Sequence, residues 1–112
     1  MGKYLLLMYG KEMRMPKNVT KAQMEAGVRP WREYLGPLTK RKKLISSAPV
    51  SWRGKMLTAR GTKNYSPRSI DLGGYMLIEA KSMAEAIKIA KRSPHHKMRA
   101  GVTTIRECMQ VM

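Results

Sequence analysis

Two strands that are apolar on both alternating faces, two amphipathic helical stretches, and the order strand, helix, strand, strand, helix, strand predict an α+β chain of the ferredoxin-like type. That fold is an antiparallel sheet with both helices on one side, and pairs of such sheets form the dimeric α/β-barrel arrangement. The segment 73–93, GGYMLIEAKSMAEAIKIAKRS, anchors the reading. After two glycines, Tyr75, Leu77 and Glu79 alternate with Met76, Ile78 and Ala80. Ser82 then stands three residues before Glu85, the spacing of a reciprocal capping box that satisfies the free amides of a helix start.

The remaining elements follow along the chain. Lys3 to Tyr9 sets Leu5 and Leu7 against Leu6 and Met8, so this first strand is expected to be central and covered on both sides. Thr20 opens a helical stretch that Gly27 and Pro30 interrupt; Pro30 fits the first turn of a second segment with Trp31, Tyr34, Leu35 and Leu38, and Gly36 and Pro37 threaten a further kink. Leu44 to Ala48 reads as a short strand, Pro49 to Gly54 as a loop, and Lys55 to Arg60 as another strand stopped by Gly61. Thr62 to Asp71, with Asn64, Ser66, Pro67 and Ser69, reads as an exposed connection. In the second helix Met83, Ala86, Ile87 and Ala90 take the spacing of one buried face, and Ser93 and Pro94 end it. Gly101 to Met112 is the last strand, with Ile105, Glu107, Met109 and Val111 on one side and Arg106 and Cys108 on the other.

At 112 residues the chain fills one domain, 1–112, and its 43% apolar content suffices for one core. No apolar run approaches the roughly 18 residues that cross a bilayer, and LLLMYG lacks the length and cleavage site of a signal peptide, so a cytoplasmic protein is expected. The single cysteine, Cys108, forms no internal disulfide and shares no metal-ligand spacing with a histidine. Phosphate-cradling glycine loops, nucleophile elbows and metal-binding helices are missing too, so neither cofactor nor metal is expected.

The balance of 23 Lys and Arg against 7 acids, formally +16, has two readings. One is a nucleic-acid or polyanion surface, using the run Lys40, Arg41, Lys42 and Lys43 and the basic stretch Arg60 to Arg68. The other is charge spread over every solvated face, and it is favoured because cations occur in nearly every segment. The run also falls where a helix ends, and the helix dipole favours cations there without any partner.

With both helices on one side of the sheet, an apolar set from Leu5, Leu7, Tyr75 and Leu77 or from their alternates is left facing outward. A homodimer through the open sheet faces is the expected cover; a central loop folded back as a lid would serve the same purpose.

Candidate chemistry is sparse. His95 is the best general acid or base, since imidazole titrates near neutrality and a helix exit beside the last strand is a natural cleft; an exposed loop histidine is its plain alternative, and with His96 adjacent only one of the two rings points inward. Glu107 sits among apolar neighbours where burial would raise its pKa and fit it for proton transfer, unless a bulge, the sheet end or a cation partner removes it. The planar fork of Arg106 suits a substrate carboxylate, and Tyr9, Tyr65 and Tyr75 are candidates to line an aromatic pocket. Trp31 and Tyr34 read as core, Asp71 as a turn-closing residue, and Cys108 as a small buried hydrophobe.

The segments KYLLLMYG, GGYMLIEAKSMAEAIKIAKRSPH and GVTTIREC together resemble the YCII-related family, in particular its branch named for an Asp-Gly-Pro-Phe motif. Arg106 matches the arginine of that branch's last strand, and Ser93, Pro94 and His95 stand where it has Cys-Pro-His. The name-giving motif falls on Thr62, Lys63, Asn64 and Tyr65, which keep only the aromatic; Thr104 replaces a glutamate and Glu107 stands at a proline. The resemblance implies a dimeric ferredoxin-like fold, and distant relatives include enzymes acting on aromatic-derived lactones and chlorinated rings. The expected function is a homodimer binding a small organic anion in a pocket between sheet and helices or at the dimer seam, with proton transfer as the first chemistry to test. A nucleic-acid binder and a non-catalytic structural dimer are the alternatives.

Overall fold

The computed structural model describes residues 1–11, 18–98 and 101–110. Strands β1 (Gly2–Gly10), β2 (Leu44–Pro49), β5 (Asp71–Ala80) and β6 (Val102–Glu107) form one sheet in the order β2-β5-β1-β6, antiparallel throughout. Helices α1 (Lys21–Lys40) and α2 (Met83–Lys91) complete the ferredoxin-like order. A hairpin, β3 (Lys55–Thr58) with β4 (Gly61–Asn64), forms a separate two-stranded sheet that pairs with no other strand among the described residues. Gly61, at φ 130°, takes the turn conformation that residues with a Cβ rarely adopt.

Strand alternation divides the sheet as expected. Tyr4, Leu6 and Met8 of β1 and Met76, Ile78 and Ala80 of β5 are buried, and their core is closed by Leu38 of α1 and by Ala86, Ile89 and Ala90 of α2. Leu5, Leu7, Tyr9, Tyr75 and Leu77 fall on the opposite face and are only half-buried. β1 lies between β5 and β6, the central place its two apolar faces demand.

Helix α1 runs unbroken through Pro30 and Pro37, against the expected interruption. Thr20 and Gln23 form a complete capping box, Thr20 Oγ1 accepting the Gln23 amide at 3.1 Å and Gln23 Oε1 accepting that of Thr20 at 3.0 Å. Each proline forfeits one backbone bond, and Gly36 removes the Cβ that would crowd the Pro37 ring in helical conformation. Tertiary anchoring supplies the rest: the Tyr34 hydroxyl donates to the Ile89 carbonyl at 2.7 Å, tying α1 to α2. Burial pushes this phenol up to about 12, so it keeps its proton and the tie holds far into the alkaline range.

The buried face of α2 differs from the expected stripe, because Met83 and Ile87 are exposed and Ile89 is buried. The stripes 83/86/87/90 and 86/89/90/93 share Ala86 and Ala90. The buried Ser93 carries the second stripe past the helix end, toward the sheet.

Only half of the second capping box forms. Ser82 Oγ accepts the Glu85 amide at 3.2 Å, but the Glu85 carboxylate takes the Lys81 amide at 3.2 Å and the Lys43 ammonium at 2.5 Å. Lys43 is thus committed to α2, leaving Lys40, Arg41 and Lys42 as the exposed part of the basic run. The Lys43 hydrogen bond, and after it the Lys81 amide, hold the Glu85 carboxyl below its ordinary 4.5. A carboxyl with a lower pKa folded than unfolded stabilises the fold fully above the ordinary value, and that contribution is lost as pH falls through the folded one. Glu85→Gln is therefore expected to melt below the parent at neutral pH and to converge with it in acid, once pH falls below the folded carboxyl's range; an equal gap at neutral and at acid pH would contradict this role.

Candidate functional site

A cavity of about 620 Å³ lies between the sheet and the middle of α1. Its sheet side is made of Met8, Gly74 and Met76, and its helix side of Gly27, Val28, Trp31 and Leu35. The loop after β2 contributes Val50, Ser51 and Trp52, and the turn after α2 contributes His95 and Met98. Most of this wall is apolar; Ser47, Ser51, Lys11 and His95 are its main polar groups, and no carboxylate lines it among the described residues.

The sequence leaves this space open with small residues facing each other. Gly27, Trp31 and Leu35 recur every four residues along one face of α1, and nothing lies within 4 Å of where a Cβ at Gly27 would stand. Across the gap, a Cβ at Gly74 would come 3.3 Å from the Ala48 carbonyl oxygen and 3.6 Å from the Met8 methyl. The register slips between Met8 and Tyr9, so Gly73 has no partner on β1, an irregularity of the kind that re-aims a strand end beside a site.

His95 is buried and turns into the molecule, while His96 is exposed. A run of tight turns places it: the Ser93 amide bonds to the Ala90 carbonyl, the buried Ser93 hydroxyl accepts the His96 amide at 3.1 Å, and the Met98 amide returns to the His95 carbonyl at 3.1 Å. His95 Nε2 lies 3.2 Å from the Val102 carbonyl oxygen. A carbonyl only accepts, so Nε2 carries the proton and the neutral ring keeps its lone pair on Nδ1. Gly101 sets the ring's position by close approach, since a Cβ there would stand 2.5 Å from the His95 carbonyl oxygen and 3.1 Å from Nε2.

The other candidates do not converge on His95. Glu107 pairs with Tyr4 at the end of edge strand β6 and is exposed, because Met109, expected to shield it, is 87% exposed, and Val111 lies outside the described residues. Arg106, exposed, stands opposite Leu5 on the open face, away from the cavity. Tyr9 shares that open face. So does the side chain of Tyr75, whose hydroxyl lies 2.6 Å from Ser46 Oγ, although the residue also lines the cavity. Tyr65 belongs to the hairpin's base, its hydroxyl donating to the Asp71 carboxylate. That carboxylate also accepts the Arg68 and Leu72 amides, so Asp71 closes the loop as expected, and the Tyr65 hydroxyl together with these amides holds it below its ordinary pKa. Cys108 is half-buried, its amide extending the pairing to Lys3. Trp31 is more than core, and Trp52, Ser47, Ser51, Lys11 and Met98 were not legible as cavity residues; Gly27 opposite Gly73 and Gly74 was the one signal that space would be left there.

No grouping of His, Cys, Asp and Glu among the described residues could hold a metal ion, and no helix among them is long and apolar enough to cross a membrane. No curated protein matches the chain. Among solved structures, the 5-chloro-2-hydroxyhydroquinone dehydrochlorinase of Burkholderia phenoliruptrix AC1100, in complex with 2,5-dihydroxybenzoquinone, is similar over 94% of this chain and 93% of its own, with a TM-score of 0.51 and 20% identity. That likeness agrees with the ferredoxin-like architecture described above. The family model of the YCII-related domain matches residues 2–111, nearly the whole length, and the chain belongs to the YCII-related domain family.

Proposed function

We propose that this chain is a one-domain cytoplasmic protein of the Asp-Gly-Pro-Phe branch that pairs as a homodimer and binds a small, flat organic anion in the cavity between the sheet and α1. The observation that carries the reading is the composition of the cavity wall: a volume of about 620 Å³, mostly apolar, with His95 and Lys11 and, among the described residues, no carboxylate. Such a site desolvates a ring on Trp31, Leu35 and Met76 while cationic and hydrogen-bonding groups meet its charged edge. The ligand complex of the dehydrochlorinase supports a ring compound as ligand class. If the protein is an enzyme, His95 is the group to carry a proton, with Nδ1 as base and the Val102 carbonyl fixing the tautomer. Glu107, in solvent and away from the cavity, takes no part. Arg106, Tyr9 and Tyr75 are assigned instead to the open face, where a second copy would cover Leu5, Leu7 and Leu77.

Calorimetric titration with a panel of hydroxybenzoates and hydroxyquinones tests the site. At least one is expected to bind, and His95→Phe to weaken it by about tenfold or more, the cost of losing a hydrogen bond to a charged group. Arg106→Ala is expected to leave that affinity unchanged. Affinity that depends on Arg106 and not on His95 would move the site to the open face. For the pairing, light scattering is expected to give twice the chain's 12.8 kDa; a monomer at micromolar concentration would contradict it.

A further inference from the structure

Among the described residues the β3–β4 hairpin is paired with no other strand, and all eight of its strand residues are exposed. An isolated two-stranded hairpin is marginal in water, so an arm of this kind gains most when something docks on it. Its charge says what. Between Glu33 and Asp71 the chain contains no acid, and in and beside the hairpin stand Arg53, Lys55, Arg60, Lys63 and Arg68. At the hairpin's base, Trp52 and Tyr65 flank an open cleft of about 410 Å³, with Arg53, Lys55 and Asn64 on its other walls. The Tyr65 ring is held in place from both ends, its amide bonded to the Gly54 carbonyl at 2.9 Å and its hydroxyl to Asp71.

We infer that this hairpin is a second binding element, adjoining the cavity through the shared Trp52, that takes single-stranded nucleic acid: a base enters the cleft between Trp52 and Tyr65, and Arg60 and Lys63 near the tip track the phosphates. Cations alone would fit any polyanion. Aromatic walls between them select a ligand that alternates flat rings with phosphates, and a duplex keeps its bases stacked on each other and out of reach of such a cleft. Lys40, Arg41 and Lys42 stand beyond the other end of β2 and are not needed.

Fluorescence anisotropy of a labelled twelve-nucleotide poly-U strand, titrated with the full chain between 50 and 200 mM salt, tests the arm. The double variant R60A/K63A is compared with K88A/K91A, which removes the same charge from the exposed side of α2. The hairpin variant is expected to flatten the salt slope of log affinity by about 1.4, the share of two phosphates on a single strand, and the α2 variant to leave it unchanged. Trp52→Ala is expected to weaken binding by about 5- to 150-fold without weakening heparin to the same extent. No binding at 50 mM salt, equal losses in the two double variants, or equal losses for RNA and heparin on Trp52→Ala would each overturn the assignment, the last in favour of unspecific polyanion adhesion.

Discussion

Ile78→Ala is expected to lower the free energy of unfolding by about 2–5 kcal/mol. Ile78 is fully buried at the centre of β5, opposite Tyr4 on β1 and Leu44 on β2. Removing its branched side chain leaves a void that flanking strands cannot collapse into. Against a total stability of about 5–15 kcal/mol for an ordinary domain, this is a large fraction. Urea unfolding at neutral pH measures it, and a loss under about 1 kcal/mol would contradict the placement of the core. The adjacent Leu77 provides the contrast. Its side chain is on the open face, so Leu77→Ala is expected to act through association, with a cost that grows with protein concentration.

Gly101→Ala is the second large effect. The added methyl would stand 2.5 Å from the His95 carbonyl oxygen, a backbone atom that cannot swing aside as a flexible side chain would. The turn must shift, at about 1–3 kcal/mol for overpacking, and the His95 ring loses its bond to the Val102 carbonyl. Thermal melting and ligand titration are expected to fall together in this variant. His95→Phe separates the two roles, since it keeps Gly101 and removes only the imidazole. Full binding by Gly101→Ala would show that the position of the ring is not set from this side.

The element order, the two alternating sets of each strand and the central place of β1 were legible from alternation in 3–9 and 75–80. Alternation does not say which set meets the helices; the burial of Tyr4, Leu6, Met8, Met76, Ile78 and Ala80 decides that. The α2 stripe was not, because Ala86 and Ala90 belong to both candidate faces and only the burial of Ile89 and Ser93 decides between them. Residues 61–64 looked like loop because their pairing is with a neighbouring strand in an exposed hairpin, where no buried face leaves a pattern. Pro30 and Pro37 argued locally against a single helix, and the tie from Tyr34 to Ile89 is a contact between residues far apart in sequence.

The site was half legible for the same reason. His95 emerged from its place at a helix exit, but the walls it faces come from five separate segments, and no local spacing joins Trp31 to Trp52. Glu107 was misjudged because alternation fixes the side of a strand and not where its cover ends; β6 stops at Glu107, and Met109 beyond it is in solvent. Arg106 matched a family position, but alternation fixes only the side it shares with Cys108; its place opposite Leu5, on the face without helices, comes from the pairing of β6 with β1.

Crystals of the chain soaked with the tightest-binding hydroxybenzoate or hydroxyquinone test the central claim most directly. The expected density is a flat molecule lying between Trp31 and Met76 with an oxygen within hydrogen-bonding reach of His95 Nδ1. Density confined to the open sheet face beside Arg106, with the space under α1 empty, would contradict it.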